Sequence, residues 1–397
     1  MVLARRPEHP TGVLHHHHHH PTSTPFLSAA FLFLAGALFL TLLTFLSFSL
    51  LKSPSPDHST KTTRPAITII QEQPTAKIIT TTSDSHDEDY PMSPPLVLPE
   101  KSQLVVATRL HLGNAAAPPS VEKMQQQVAN FANFVATSCA QALAEIIMDE
   151  NKNEAPSIVA VIAVDATPKM AHFDYVAAIQ DASNQLEGAI RPFVLPVTPW
   201  GKFVPALNAL ISFAKGECYA DFILFVSAET TAPTSAITTL CQHVMTKDHI
   251  QDTLVAGALL GGHEYHNNHH DSPEKSKDNV VVELTGRTSP WNTLALWNLN
   301  KLALTGFQLV SDGLLTDDLL APSFGIEEVM AIATLQTLLG GHEKAKAKLI
   351  QLPDVEWSQE FEDEERRKWH EQKMNSKVER ASRQLDLVGL TGKVYHY

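Results

Sequence analysis

Residues 201–208 read Gly201-Lys202-Phe203-Val204-Pro205-Ala206-Leu207-Asn208. After a helical stretch, residues 221–233 read Asp221-Phe222-Ile223-Leu224-Phe225-Val226-Ser227-Ala228-Glu229-Thr230-Thr231-Ala232-Pro233. The first segment is a glycine turn that opens an amphipathic helix. The second is an unbroken apolar run, Phe222 to Val226, which suits a strand covered on both faces. Working outward, similar runs recur at Ile158–Val164, which closes on Asp165, and at Phe193–Val197 and Leu254–Leu260, with a shorter one at Leu104–Thr108. Val128, Phe131, Val135, Cys139, Ala142 and Ile146 follow helical spacing between two of these runs. Strands alternating with helices imply an α/β fold with a mostly parallel, Rossmann-like sheet flanked by helices. Ligands of such sheets sit at the carboxyl ends of the strands, where Asp165 and Ser227-Ala228-Glu229 both fall.

The chain has 397 residues and a formal charge of −13, so it lacks the basic surplus that a nucleic-acid partner would require. Cys139, Cys218 and Cys241 are too few for a disulfide framework and stand in apolar or helical contexts, which predicts buried thiols. Phe26 to Leu51 carries no charge; as a helix it would be about 39 Å long, enough to cross a bilayer. Residues 1–25 are then a short tail and 26–51 a transmembrane signal anchor. Residues 52–102, rich in Pro, Ser, Thr and Asp, read as a disordered stem. The folded body is expected over 103–355. Residues 356–397 are expected to form a charged, solvated helix and tail, and the His15–His20 run is excluded from the fold.

The order of these segments resembles the middle of a family 2 glycosyltransferase of the cellulose- or hyaluronan-synthase type. There a Gly-Lys…Ala-Leu-Asn segment opens a helix, and the next strand ends in an Asp-Ala-Asp-Thr-x-Pro loop that holds the metal of a nucleotide sugar. The resemblance runs from about Gln103 to Trp369 and implies a GT-A-type fold. It also implies transfer, with inversion, of a sugar from a nucleotide-diphosphate donor to a hydroxyl on a glycan, protein or lipid. Anchor, stem and body together fit a single-pass type II protein of the Golgi or another endomembrane.

Carried onto this chain, the resemblance makes Asp165, in Val-Asp-Ala-Thr, a nucleoside contact; the plainer reading is a helix cap. Lys202 and Asn208 become nucleotide-sugar residues, with Lys202 facing phosphates beside a helix amino end, or simply solvated. Ser227 and Glu229 stand where the family has two aspartates. Glu229 can offer Mn²⁺ or Mg²⁺ one carboxylate, whereas Ser227 supplies no second charge. Glu327-Glu328 stands at the family's Glu-Asp pair, with Glu328 matching the general base and Glu327 its neighbour, after Thr305-Gly306-Phe307 in place of a Gly-Gly-Phe segment. Two acids in a first helical turn also suit the helix dipole without any catalysis. Trp291 and Asn292 form a candidate acceptor-side loop, although Trp291 suits a core equally. Glu365 to Trp369 reads better as a solvated helix than as the family's Gln-x-x-Arg-Trp motif. His263, His266, His269 and His270 lie in a polar segment without the ligand spacing of a zinc site. The same residues suit a second function, a catalytically inactive nucleotide-sugar or glycan-binding module.

Overall fold

The structure, a computed structural model, describes residues 101–112, 117–149, 155–168, 173–188, 190–266, 279–312, 326–358 and 364–397. The predicted anchor at 26–51, the stem up to residue 100, the His15–His20 run and His269–His270 lie outside the described residues.

Eleven strands are described: β1 Leu104–Leu110, β2 Ile158–Asp165, β3 Phe193–Val197, β4 Phe222–Val226, β5 Thr230–Thr231, β6 Thr253–Ala258, β7 Val280–Glu283, β8 Leu294–Asn298, β9 Lys346–Ile350, β10 Glu356–Trp357 and β11 Lys393–His396. The helices are α1 Val121–Phe134, α2 Ala140–Asp149, α3 Tyr175–Asn184, α4 Val204–Gly216, α5 Thr234–Met245, α6 Leu299–Leu302, α7 Glu327–Leu338, α8 Glu364–Asn375 and α9 Lys377–Val388. Nine strands form one sheet in the order β3-β2-β1-β4-β8-β6-β9-β11-β7, and β5 pairs with β10 beside it. Only β8 and β7 run antiparallel to their neighbours in the large sheet. The expected α/β class and mostly parallel sheet are therefore present.

Alternation along the strands divides the core into two layers. Val105, Ala107, Val161, Ala163, Ile223 and Phe225 pack with α4, α6, α7 and α9 on one face. Val106, Ile162, Leu224 and Leu296 pack with α1, α2, α3 and α5 on the other. The helix that runs from α1 through a π turn at Val135–Cys139 into α2 has a length and composition that could cross a membrane. Its apolar stripe (Met124, Val128, Phe131, Val135, Cys139, Leu143) instead covers the sheet as a core helix. All three cysteines are buried free thiols.

The two ends of the body depart from the expected boundaries. Ser102, assigned to the stem, is fully buried, and its N–H donates to the Cys218 carbonyl at 2.9 Å, so the body already begins there. The C-terminal segment is not an appendage. β11 hydrogen-bonds between β9 and β7, and α9 buries Arg380, Ala381, Gln384 and Leu385 against the α7 side. The charged composition hid that stripe, because two of its four members are polar.

Candidate functional site

Several of the candidate groups lie at the carboxyl end of the sheet. Strand order reverses between β1 and β4, which makes their carboxyl ends the topological switch point where α/β sheets hold ligands. Asp165 ends β2 one strand away. It is 3% exposed, and its Oδ1 accepts from the Thr167 N–H at 3.0 Å. The Tyr175 hydroxyl is pushed up to about 12, first by burial and then by the Asp165 charge. Trp200, nearly buried, and His111, just past β1, bring their rings within 5.9 Å.

The amino end of α4 is already capped. Phe203, at the capping position, has no side-chain acceptor, and Asp312 fills that role from a 3₁₀ turn at Leu309–Asp312. Its Oδ1 accepts from the Phe203 and Val204 N–H groups, both at 2.8 Å, and its Oδ2 from Lys202 N–H at 3.2 Å. The expected phosphate cradle thus holds the protein's own carboxylate, with the Lys202 side chain exposed beside it. Gly201, at φ +66°, allows this approach, since a Cβ there would meet Asp312 Oδ2 at 2.9 Å. Asp312→Ala should lower unfolding stability by about 1–2 kcal/mol, the cost of losing a helix cap, in urea titration. An unchanged midpoint and slope would show that water replaces it freely.

Asn208 serves as a clamp. Its Nδ2 donates to the Phe307 carbonyl at 2.9 Å and its Oδ1 accepts the Phe307 N–H at 2.8 Å. Phe307 in turn packs on Phe225 and Trp297. The predicted sugar-binding role therefore competes with a complete set of backbone bonds.

Ser227 to Thr230 forms a tight turn, with Thr230 N–H donating to the Ser227 carbonyl at 3.1 Å and the two hydroxyls 2.9 Å apart. Ser227 N–H is bonded to the Thr293 carbonyl, while the Glu229 side chain is exposed. Among the described residues no group of three or more His, Cys, Asp or Glu side chains could hold a metal. One exposed carboxylate and an engaged hydroxyl do not make a dedicated Mn²⁺ or Mg²⁺ cage, because these ions want several hard oxygens.

Glu328 lies in the first turn of α7, 6% exposed, with Oε1 accepting the Asn292 N–H at 2.7 Å. Burial and the neighbouring Glu327 charge push its carboxyl up to about 7, against the opposing pull of Lys377. Asn292 is also buried, and its Oδ1 accepts from Trp297 Nε1. Trp291 is core rather than loop surface. It is 2% exposed, its Nε1 donates to the Gly286 carbonyl, His263 stacks on it at 3.6 Å, and Lys377 Nζ lies 3.1 Å from its ring centroid. Trp357 of β10 meets its edge and pairs with Thr230, which links this cluster to the Glu229 turn.

No known family matches the chain, and no curated protein matches it.

Four contributors carry no clear local signal in the sequence. Lys377, Arg380 and Gln384, at i, i+3 and i+7 of α9, face the start of α7. Gln384 Oε1 accepts the Ile326 N–H, and the Arg380 guanidinium acts on Glu327. The fourth, His263, is fixed: its Nδ1 accepts Leu260 N–H at 2.9 Å, so Nε2 donates to the Ser289 carbonyl at 3.0 Å. Burial, aided by Lys377, pushes its pKa down to about 3, which keeps it neutral. The 3.6-residue stripe on α9 was the readable signal, and the surrounding charge masked it.

Proposed function

We propose that the chain is a membrane-anchored glycosyltransferase with a GT-A-type fold, moving a sugar from a nucleotide-diphosphate donor to a hydroxyl acceptor with inversion. The observation that carries this reading is Glu328: a buried carboxyl with a pKa near neutrality, fixed by a backbone N–H at the sheet's carboxyl end. A general base works best when its pKa lies near the working pH. In the proposed reaction Glu328 takes the proton of the acceptor hydroxyl as its oxygen bonds to the anomeric carbon. The bond from that carbon to the diphosphate breaks on the opposite face, and the nucleoside diphosphate leaves with the electron pair. Asp165 would accept from the nucleoside, while Trp291 and Asn292, both buried, would hold Glu328 in place from behind. Glu229 would offer the one protein carboxylate to a Mn²⁺ or Mg²⁺ brought by the diphosphate, and no step depends on it. The proposed location is a type II protein of the Golgi or another endomembrane, held by residues 26–51.

A second reading is an inactive nucleotide-sugar or glycan-binding module. It is favoured by two observations: Asp312 fills the α4 amino end, and Ser227 is bonded to Thr230 rather than being a free acid. Calorimetry of the full-length protein in detergent with nucleotides and nucleotide sugars, with and without Mn²⁺, separates the two. Hydrolysis or transfer supports the enzyme, and binding without turnover supports the module. Asp165→Ala is expected to weaken nucleotide binding by about 1–3 kcal/mol, the range for a lost buried partner. Unchanged affinity in a folded variant would remove the nucleoside contact.

A further inference from the structure

We propose that Arg109, near the end of β1, is the phosphate-recognition residue of this site. The inference rests on the nucleotide-sugar reading for the nature of its ligand.

Three observations carry it. The first is position. β1 is the strand at the switch point, and Arg109 lies two residues beyond Ala107, which faces the α4 layer, so alternation carries Arg109 to the same face. Arg109 pairs in register with Ala163, two residues before Asp165, while Ala107 pairs with Phe225, two residues before Ser227. Ala163 and Phe225 also face the α4 layer. Asp165 and Arg109 therefore stand on adjacent strands, β2 and β1, toward one face at the ligand end of the sheet, with Ser227 in the turn just past β4.

The second is the state of the guanidinium. It is half-buried, and Nη1 donates to the Phe203 carbonyl at 3.4 Å, near the limit of a hydrogen bond, with the Phe203 ring 5.7 Å away. Among the described residues no carboxylate pairs with it, so most of its donor fork has no protein acceptor. None of its nitrogens is buried without a partner, so the remaining donors reach solvent and are open to an incoming ligand. The planar fork matches the oxygens of a phosphate bidentately.

The third is what the neighbouring groups already do. The α4 amides, the other natural phosphate donors here, are held by Asp312. Asp165 and Glu229 add acids to the same end of the sheet, so phosphates need a cation placed among them. Arg109 fills that place, with the Phe203 ring 5.7 Å from its guanidinium.

The test measures binding of UDP, GDP, their nucleosides and inorganic pyrophosphate to full-length wild type, Arg109→Met and Arg109→Lys. Expected is about 10–100-fold weaker binding of the diphosphates by Arg109→Met, with nucleoside affinity unchanged, a partial loss for Arg109→Lys, and a difference that shrinks with salt. Thermal unfolding without ligand controls for folding. If Arg109→Met binds UDP and GDP as wild type does, the inference is overturned while the nucleotide reading stands. If wild type ignores nucleotides but binds pyrophosphate through Arg109, the inference stands and the nucleotide reading falls. Binding of none of these probes overturns the inference too.

Discussion

Glu328→Gln is expected to cut sugar transfer by about 10²–10⁴-fold, the usual contribution of a general base, with donor affinity unchanged. Glutamine keeps the shape and an oxygen to accept the Asn292 N–H but cannot take a proton at neutral pH. Glu327→Gln should cost less, because Glu327 lies beside Arg380 and acts through its charge on Glu328. Wild-type activity should rise with pH along a limb near 7, as burial and Glu327 hold the Glu328 proton on until then. The same shift makes folding stability depend on pH. The folded pKa lies above the ordinary value of 4.5, so this group's contribution is fully present below about 4.5 and is lost as pH rises through about 7. Glu328→Gln should therefore flatten that fall in urea titrations between pH 5 and about 8, because glutamine binds no proton in either state. That flattening separates a correctly folded inactive variant from a misfolded one. Full transfer by Glu328→Gln would place the base elsewhere. Abolition by Glu327→Gln alone would reverse the two roles.

Much of the fold was legible because its central strands are simple. Ile158–Asp165 and Phe222–Val226 lie inside the sheet and are buried almost throughout, so their sequences are continuous apolar runs; Phe193–Val197, at the sheet edge and only partly buried, is an apolar run as well. Two strands in the other half of the sheet, β9 and β11, were not legible for a physical reason. β9 reads Lys346-Ala347-Lys348-Leu349-Ile350, yet Lys348 is fully buried because its ammonium donates to the His243 carbonyl at the end of α5. β11 hides inside a charged tail, where His396 is buried and bonded to the His266 N–H. In both strands a distant partner makes a polar residue a core residue, and one-dimensional periodicity carries no trace of that partner. The site shows the same division. Asp165, Glu229 and Glu328 are at or beside element ends, where sequence order places them. Asp312 acts across about a hundred residues to cap α4, and no local pattern announces it.

Lys377 should have the second large effect. The start of α9 approaches the site because Gly286 lacks a side chain: a Cβ there would strike the Lys377 carbonyl, whereas one on Gly262 would meet only the flexible end of the Met374 side chain. Arg287 fastens the turn before α9 through the Met374 carbonyl and Asn375. This brings the Lys377 ammonium to 3.1 Å from the Trp291 ring centroid, where it also favours the ionised form of Glu328. Lys377→Met removes that cation and keeps most of the apolar stem. The groups left around Glu328 are Glu327, the Asn292 N–H and, beyond Glu327, Arg380, so burial and like charge would dominate and its pKa should rise further. From about 7, the first unit of rise lowers the ionised fraction at pH 7 by about fivefold and each further unit by about tenfold. Lys377→Met should therefore lose about fivefold in transfer at pH 7 for a one-unit rise and recover toward pH 9, whereas Lys377→Arg should keep the wild-type profile. A structural role alone would lower activity equally at every pH, so an unshifted pH profile in Lys377→Met would show that the lysine only packs against Trp291.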